Sequence, residues 1–553
     1  MSEKPVEPTA RPSFILPASV RWATVGFVLF ALMLAGSRER PWADATPVFE
    51  VAESLVQDGD VTIRTPWPEE LPTGRHGKIY AAAPILQSLM HVPGAAVRSV
   101  IGRIWDNVRD ETIPFAAHIG PGVLSGLCCV LFLLLCADLG IARKTAFAAT
   151  GLLLFGSTLW VYGRSPYSEI FHAVLFTWMF GRLLLLAKAP TKTNAIWFGV
   201  TVGLLINIKM LYAVCLPGAA VFALLHWRGI AFANKEPLAW SSVLRLVGWA
   251  VAACLPFLAL ILVYNKVRWD GFLRSGYDLE VPVFTERMAL GIWGMFLSPG
   301  KSAFLYSPPL LLSLIGLPLA WRRNRSEMIA ILLTVTPVLL VYGRFLFWSG
   351  DYAWGPRYLV FAVPVFMIPG ALLLDAWRLQ LSGFALRFRL SFVVSLLAAG
   401  MFVQMLGSAL YWDHFIRIAI EARANWLGWP NKSGAPTDSQ YGTCGACFED
   451  VHPVQWLPPF QPIEGHLWLV RHVLAHDDVE TAERDAPWHR YTRVKTPISL
   501  TYPRARLDWW FMAFREDKRV TEGVLLLVFF SLGTIGFAAY LKSSKCFRAP
   551  PLG

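Results

Sequence analysis

The sequence predicts an all-α polytopic membrane protein with about twelve transmembrane helices, and three observations lead to this prediction. Hydrophobic residues make up 55% of the 553 residues and charged residues only 16%, whereas a soluble domain carries about 25% charged residues. The apolar residues are grouped in runs of about 20, the length of a helix that crosses a bilayer. Basic residues recur in every second connection between these runs. The 36 Phe, 24 Trp and 15 Tyr residues also exclude a disordered chain.

Twelve windows along the chain have the composition of a membrane span. The fifth and sixth are either one overlong span or two short ones that meet near Lys209, and two spans keep the basic connections in alternation. The N-terminus lacks the pattern of a cleavable signal, so the first window is expected to remain as a span. The windows are residues 17–36, 115–137, 146–164, 167–187, 195–209, 210–227, 244–264, 304–320, 328–347, 359–377, 391–411 and 523–541.

The basic residues predict the orientation in the membrane. Arg143 and Lys144 follow the second window, Arg322 and Arg323 the eighth, and Lys542 the last. Because basic loops stay on the cytoplasmic side, we expect both termini in the cytoplasm and a location in the plasma (inner) membrane. The net charge of +12 is then largely explained by topology, which argues against nucleic acid as a partner.

This topology divides the chain into predicted regions. The first external loop, residues 37–114, carries amphipathic patterns near Thr46–Val56 and Ala81–Ile101, which predict two helices at the membrane surface. External loops of this length are usually functional. The regions are a cytoplasmic tail at 1–21, a transmembrane module at 22–411, an external segment at 412–522, the last span at 523–541 and a second cytoplasmic tail at 542–553.

The external segment contains two unusual motifs. Cys444 and Cys447 form Cys-Gly-Ala-Cys; an oxidising compartment favours a local disulfide, with free thiols and a metal site as the alternatives, since no second pair of cysteines matches a zinc motif. The run Gln455–Pro462 is rich in proline and aromatic residues. It is either a lid on the membrane face or a groove for an acceptor.

Two carboxylates stand at the external ends of spans. Asp44 lies within a few residues of the first span, where it is either a general base or the N-cap of the helix that begins near Thr46. Glu169 shares a short external turn with Arg164. Ionisable groups at such positions are costly and often functional, and the alternative is an interfacial ion pair between the two.

Two cations oppose the cytoplasmic bias of the other basic residues. Lys301 precedes the eighth span, and Arg357, followed by Tyr358, begins the tenth. They either snorkel to the interface or bind an anionic phosphate, and Lys209 joins them if the fifth span ends there. Carboxylates together with cations suit glycosyl transfer from a lipid phosphate, in which a base takes the acceptor's proton and the cations stabilise the departing phosphate.

The motifs around these residues resemble the GT-C superfamily of polyprenyl-phosphate-sugar glycosyltransferases, which includes protein O-mannosyltransferases and aminoarabinose transferases. The resemblance covers roughly residues 15–411 and makes the module at 22–411 a GT-C-like catalytic module. Its similar features are an acidic residue soon after the first span, Glu169 in the second external loop, and the pieces Ser298–Pro308, Gly355–Leu359 and Asn265–Gly271.

The resemblance implies a catalytic base at Asp44, a supporting acid at Glu169 and lipid-phosphate contacts at Lys301 and Arg357. We assign Tyr358, Arg164 and Lys209 to the same phosphate site. The implied partners are a polyprenyl-phosphate-linked sugar donor, a glycan, lipid or protein acceptor, and membrane lipids, with the active site on the periplasmic or extracellular side. Many relatives carry adjacent acids in the first loop, whereas Ala45 follows Asp44; no metal ligand is therefore assigned, and the need for a divalent cation stays open.

Two other classes of function compete with an enzyme. A secondary transporter of a lipid or small solute would bind its substrate near the bilayer midplane, and a non-catalytic envelope-assembly scaffold would dock through residues 412–522. The spans carry few ionisable residues, and the polar candidates concentrate in the external loops, which favours the enzyme. A single base predicts transfer with inversion, since a double displacement needs a nucleophile as well.

Overall fold

The described part of the chain is helical in the computed structural model. Among these residues there is no strand, only one antiparallel bridge between Thr73 and Ile79, so the all-α prediction is confirmed. The residues that the structure describes are 18–35, 45–63, 73–104, 113–276, 284–379, 383–427, 451–491, 502, 505, 507–508 and 520–542.

In the described part of the chain, seventeen helices precede residue 412, where the eighteenth begins, and short 3-10 turns interrupt them at Met210–Cys215 and Arg357–Ala362. The helices are α1 (Ala18–Ala35), α2 (Ala45–Gln57), α3 (Ile85–Ile104), α4 (Ile113–Asp138), α5 (Arg143–Gly156), α6 (Leu159–Gly163), α7 (Glu169–Lys188), α8 (Lys192–Ile208), α9 (Leu216–Ala233), α10 (Trp240–Trp269), α11 (Met288–Leu297), α12 (Ala303–Tyr306), α13 (Leu310–Arg323), α14 (Arg325–Arg344), α15 (Val363–Phe366), α16 (Ile368–Leu379), α17 (Gly383–Ala409) and α18 (Trp412–Leu427).

Seven segments of the described chain are long and apolar enough to cross a membrane, as expected for a multi-pass membrane protein. Three shorter apolar helices lie at Val20–Leu34, Met288–Leu297 and Leu527–Lys542. Every one of the twelve predicted windows overlaps a helix, while the number of twelve spans stays a prediction. The seven segments are Ala116–Asp138, Glu169–Lys188, Met210–Ala233, Trp240–Trp269, Arg325–Arg344, Arg357–Leu379 and Gly383–Ala409.

The chain between Ala195 and Trp227 divides into two helices, as predicted. Helix α8 ends at Ile208, Lys209 is extended, and a 3-10 turn leads into α9, which has a proline in its first turn. The predicted third span is different, because the helix breaks between Gly156 and Leu159. The backbone N–H of Thr158 in that break donates to the hydroxyl of Ser307, at 3.1 Å.

The predicted loop between the seventh and eighth windows is partly helical. Helix α10 continues to Trp269, five residues beyond the predicted end, and α11 is a separate apolar helix of 10 residues. The span criterion missed α11 because a ten-residue helix is far shorter than a bilayer is thick.

Small residues let the long helices approach closely, as is common in membrane proteins. A Cβ on Gly199 of α8 would lie 2.0 Å from the carbonyl oxygen of Ala250 on α10, and a Cβ on Gly126 of α4 would lie 2.5 Å from the Cα of Val28 on α1. The facing backbones therefore leave no room for a side chain at either glycine, and these contacts fix the helix pairs that support the external loops.

The two predicted amphipathic helices of the first external loop are present as α2 and α3. They pack on each other, and an ion pair between Arg98 and Glu53 joins them. The guanidinium of Arg268, at the end of α10, donates to the carbonyl oxygens of Ala81 and, at 3.0 Å, Ala83. This links the start of α3 to the end of α10; the position of α2 and α3 at a membrane surface stays a prediction.

The segment predicted to be external packs against the loops of the module predicted to cross the membrane. The backbone N–H of Gly300 donates to the carbonyl oxygen of Gln455, at 3.0 Å, and the rings of Trp348 and Trp456 are 5.7 Å apart. The start of the run Gln455–Pro462 therefore covers the loops that carry Lys301 and Trp348. Cys444 and Cys447 lie outside the described residues.

Candidate functional site

The centre of the candidate site is a buried ion pair between Glu169 and Arg357. Glu169 is the first residue of α7 and Arg357 the first residue of the 3-10 turn Arg357–Ala362; Nε of the arginine lies 2.6 Å from Oε1 of the glutamate. The helix dipole stabilises a carboxylate at this position. Neither side chain snorkels to an interface, because both are almost fully buried.

Aromatic rings and a glycine-rich loop hold Arg357 in place. Its guanidinium lies 4.9 Å from the ring centre of Tyr167 and 5.8 Å from that of Tyr358, within range of cation–π attraction. Gly350 has φ +67°, and a Cβ there would lie 2.6 Å from the Cβ of Arg357. The loop before Arg357 therefore needs glycine at position 350, on grounds of both backbone conformation and space.

Lys209 lies beside the same tyrosine. Its Nζ is 5.2 Å from the ring centres of both Tyr342 and Tyr358, which stack at 4.6 Å. The hydroxyls of Tyr212 and Tyr342 are hydrogen-bonded to each other. Because α8 ends at Ile208, the predicted condition for Lys209 to join the site is met. Two cations, Lys209 and Arg357, thus share the ring of Tyr358, and Lys209 keeps part of its surface exposed.

Lys301 lies beneath the loop that carries Arg357. Its side chain is fully buried, and its ammonium donates to the carbonyl oxygens of Asp351, at 3.2 Å, and Ala353. Burial lowers the pKa of Lys301 to about 7; the charge of Asp351 opposes this shift and that of Arg357 adds to it. Lys301 therefore does not snorkel, and its contacts support the backbone of residues 351–353.

Arg164 contacts the external segment instead of Glu169. Its guanidinium donates to the carboxylate of Asp508, at 2.9 Å, to the carbonyl oxygen of Asp508, at 2.8 Å, and to that of Ser408. The predicted alternative of an Arg164–Glu169 pair is wrong, because each residue has a different partner. Arg164 anchors the external segment to the end of α6.

Asp44 lies outside the described residues, but its successor in the chain does not. Ala45 is buried at the start of α2. The ring centre of Phe49, on α2, lies 5.9 Å from that of His91, and the ring centre of His91 lies 5.4 Å from that of Phe171. Phe171 lies in the first turn of α7, so aromatic contacts connect the beginning of α2 to the helix that Glu169 begins.

His172 is a residue of this site that sequence reasoning missed. It lies three positions after Glu169 on α7, is buried, and its ring centre is 5.1 Å from that of Tyr212. Lys209 and Arg357 are both close enough to act on it electrostatically. The sequence pattern that could have revealed His172 is an ionisable residue inside a predicted span, on the same helix face as an acidic residue.

Metal binding has no support in the described part of the chain. No group of three or more His, Cys, Asp or Glu side chains there is arranged to hold a metal ion.

No family model matches the chain, and no curated protein matches its sequence. Solved structures that are similar to it include ArnT from Cupriavidus metallidurans bound to undecaprenyl phosphate, at 13% identity and a TM-score of 0.42 over 94% of this chain and 76% of that chain. The archaeal oligosaccharyltransferase AglB from Archaeoglobus fulgidus, in complex with an inhibitory peptide and a dolichol-phosphate, has 14% identity and a TM-score of 0.42 over 80% and 60%. Arabinosyltransferase EmbB from Mycobacterium smegmatis has 13% identity and a TM-score of 0.37 over 96% and 42%.

Proposed function

We propose that the protein is an integral membrane glycosyltransferase of the plasma (inner) membrane, which transfers a sugar from a polyprenyl-phosphate carrier to an acceptor on the external face. The observation that carries this proposal is the position of two cations, Arg357 and Lys209, at one buried tyrosine beside the carboxylate of Glu169. Both termini are cytoplasmic in this proposal, and the acceptor is a glycan, a lipid or a protein.

Arg357 and Lys209 bind the phosphate of the donor. The ion pair with Glu169 fixes the plane of the guanidinium, which suits phosphate oxygens better than a flexible ammonium does. Lys209 adds a second positive charge beside the partly exposed rim of the site. As the bond between the sugar and the phosphate breaks, negative charge grows on the phosphate, and cations that are already in place stabilise it.

Asp44 is the general base that takes the proton from the acceptor hydroxyl. Support comes from Ala45, which is buried at the start of α2, and from the ring contacts that join α2 to the first turn of α7. Ala45, the first residue of this packed junction that the structure describes, directly follows Asp44 in the sequence. A single base supports direct displacement and hence inversion at the anomeric carbon.

Glu169, Lys301, Tyr358 and Arg164 have supporting roles. Glu169 orients Arg357, and the ring of Tyr358 contacts both phosphate-binding cations. Lys301 supports the loop before Arg357 through the carbonyl oxygens that it contacts, and Arg164 attaches the external segment. In this assignment Lys301 and Arg164 act on the phosphate site through its framework.

Incubation of the purified protein with a panel of polyprenyl-phosphate sugars tests the proposal. We expect one donor to be consumed in the presence of membrane acceptors, and the Asp44→Asn variant to consume none while it still binds the donor. If no donor is consumed and solute moves across vesicles that contain the protein, the transporter alternative is correct.

A further inference from the structure

The face of α7 that holds Glu169 carries a second buried polar group one turn later. Residues three apart on a helix are neighbours on its surface, so the side chains of Glu169 and His172 lie next to each other. Oε1 of Glu169 is bound by Arg357, whereas Oε2 of Glu169 and Nε2 of His172 have no hydrogen-bond partner among the described residues. Both side chains are about 2% exposed.

Buried polar atoms without a partner are unusual in a folded protein. Most buried polar atoms have a hydrogen-bond partner, and each exception needs an explanation. The two atoms lie beside the cations of the phosphate site, because Arg357 binds the other oxygen of Glu169 and both Arg357 and Lys209 act on His172. The two atoms therefore belong to the buried part of the candidate site.

The chemistry of this pair fits a hydroxyl group better than a phosphate. A carboxylate oxygen only accepts hydrogen bonds, and a neutral imidazole nitrogen donates or accepts according to its tautomer. A deprotonated phosphate offers Glu169 no proton and adds negative charge next to it. A sugar hydroxyl can donate its proton to Oε2 of Glu169, and its oxygen can accept a hydrogen bond from Nε2 of His172 when that nitrogen carries a proton.

We propose that His172, together with Oε2 of Glu169, binds hydroxyl groups of the transferred sugar and selects donors that carry a hydroxyl at that position. This inference rests on the proposed function, because it places the sugar next to the phosphate that Arg357 and Lys209 bind. The sugar is joined directly to that phosphate, so its hydroxyl-binding groups must lie within one sugar ring of the two cations. The ring of Tyr212, 5.1 Å from that of His172, contributes an aromatic surface next to the pair.

The variant His172→Phe removes the polar atoms of this residue while it keeps a ring of similar shape among the aromatic neighbours. The assay compares kcat/KM for the donor that the wild type consumes with kcat/KM for its monodeoxy analogues. A site built to bind a hydroxyl rejects the analogue that lacks it by about a hundredfold or more. We expect the wild type to show this rejection for one analogue, and the variant to process that analogue and the full donor at nearly equal rates.

Thr177→Val is the matched control. Thr177 is buried on the same helix, eight residues after Glu169 and next to Cys128 instead of the cations. We expect this variant to keep the wild-type rejection of the deoxy analogue. Inhibition by undecaprenyl phosphate alone, which has no sugar, should be unchanged in both variants, since the phosphate contacts are intact.

The outcomes separate this inference from the proposed function. Equal rejection of the analogue by the wild type and by His172→Phe contradicts the role of His172 and leaves sugar transfer intact. A wild type that consumes no donor contradicts the proposed function and the inference together. If His172→Phe does not fold, His172→Met takes its place, because methionine is apolar and flexible. If His172→Met rejects the deoxy analogue as strongly as the wild type does, the inference is contradicted in the same way.

Discussion

Glu169 and Arg357 stand 188 positions apart in the sequence and form a buried ion pair, with 2.6 Å between Oε1 and Nε. The pair joins the first residue of a membrane helix to the loop that also contacts Lys301. Through it, the acid that the sequence assigned to catalysis and the cation assigned to the lipid phosphate become one structural unit. The properties of either residue therefore depend on the other.

Removal of one partner of this pair should destabilise the protein. Arg357→Gln leaves the carboxylate of Glu169 buried without its cation, and the loss of one member of a buried pair costs about 3–5 kcal/mol. The double variant Glu169→Gln/Arg357→Gln leaves no unpaired charge, so we expect its thermal midpoint to recover while sugar transfer stays absent. A double variant as unstable as Arg357→Gln would contradict this account of the pair.

Lys209 should contribute to donor affinity, because it adds a positive charge beside Tyr358. A hydrogen bond to a charged group contributes about 1.5–3 kcal/mol, so Lys209→Met should weaken binding of undecaprenyl phosphate by about tenfold or more. Lys192, at the opposite end of α8, is the matched control, because its Nζ also lies near an aromatic ring, 3.8 Å from the ring centre of Trp249. Equal binding by Lys209→Met and Lys192→Met would exclude a phosphate contact at Lys209.

Lys301 should make stability rise with pH. Its pKa is about 7 in the folded protein, against 10.5 for an ordinary lysine, so between these values the unfolded chain binds the extra proton. Linkage then requires the free energy of unfolding to increase as the pH rises from about 7 to about 10.5, and the penalty for the buried charge is fully present below pH 7.

Thermal unfolding of the wild type and Lys301→Met across this pH range measures the effect. We expect the slope to be smaller in the variant, since methionine does not titrate. The same slope in both proteins would show that Lys301 has an ordinary pKa.

The pair of Arg164 and Asp508 should hold the external segment on the membrane module. Both side chains are largely buried, at 5% and 10% exposure, so Asp508→Asn should cost several kcal/mol, about 3–5. The exposed pair Lys266–Asp270 is the control, and we expect Asp270→Asn to leave stability nearly unchanged, because solvent screens an exposed ion pair. Limited proteolysis of residues 451–491 reports the release of the segment; equal protection in Asp508→Asn and the wild type would contradict the anchoring role.

The sequence predicted the helices better than their partners. A membrane helix is visible in the local run of apolar residues, so each predicted window overlaps a helix. Among the described residues, the helices that lie outside every window and amphipathic pattern were missed: α11, α18, Pro462–Ala475 and Val479–Arg484. Arg164 was assigned to the phosphate site, with an ion pair to the nearby Glu169 as the alternative, yet its partner Asp508 is 344 positions away. Local pattern contains no information that selects one carboxylate among 38 acidic residues.

The candidate site was predicted in part, for a related reason. Glu169, Arg357 and Lys209 were singled out because they are charged residues at the ends of apolar runs, where charges are costly. Lys301 was singled out in the same way, but burial beneath a loop is decided by tertiary packing. His172 was missed because the sequence does not show that a single histidine inside an apolar run lies beside charged residues from other helices.

Sugar transfer with Asp44 as the base can be tested by a comparison of the wild type with two carboxylate variants. Purified wild type, Asp44→Asn and Glu50→Gln are incubated with the same polyprenyl-phosphate sugar and acceptor, and the transfer rate and donor binding are measured for each. We expect transfer by the wild type and by Glu50→Gln, and no transfer by Asp44→Asn, whose donor affinity should be unchanged. Near-normal turnover by folded Asp44→Asn would contradict the role of Asp44 as the base.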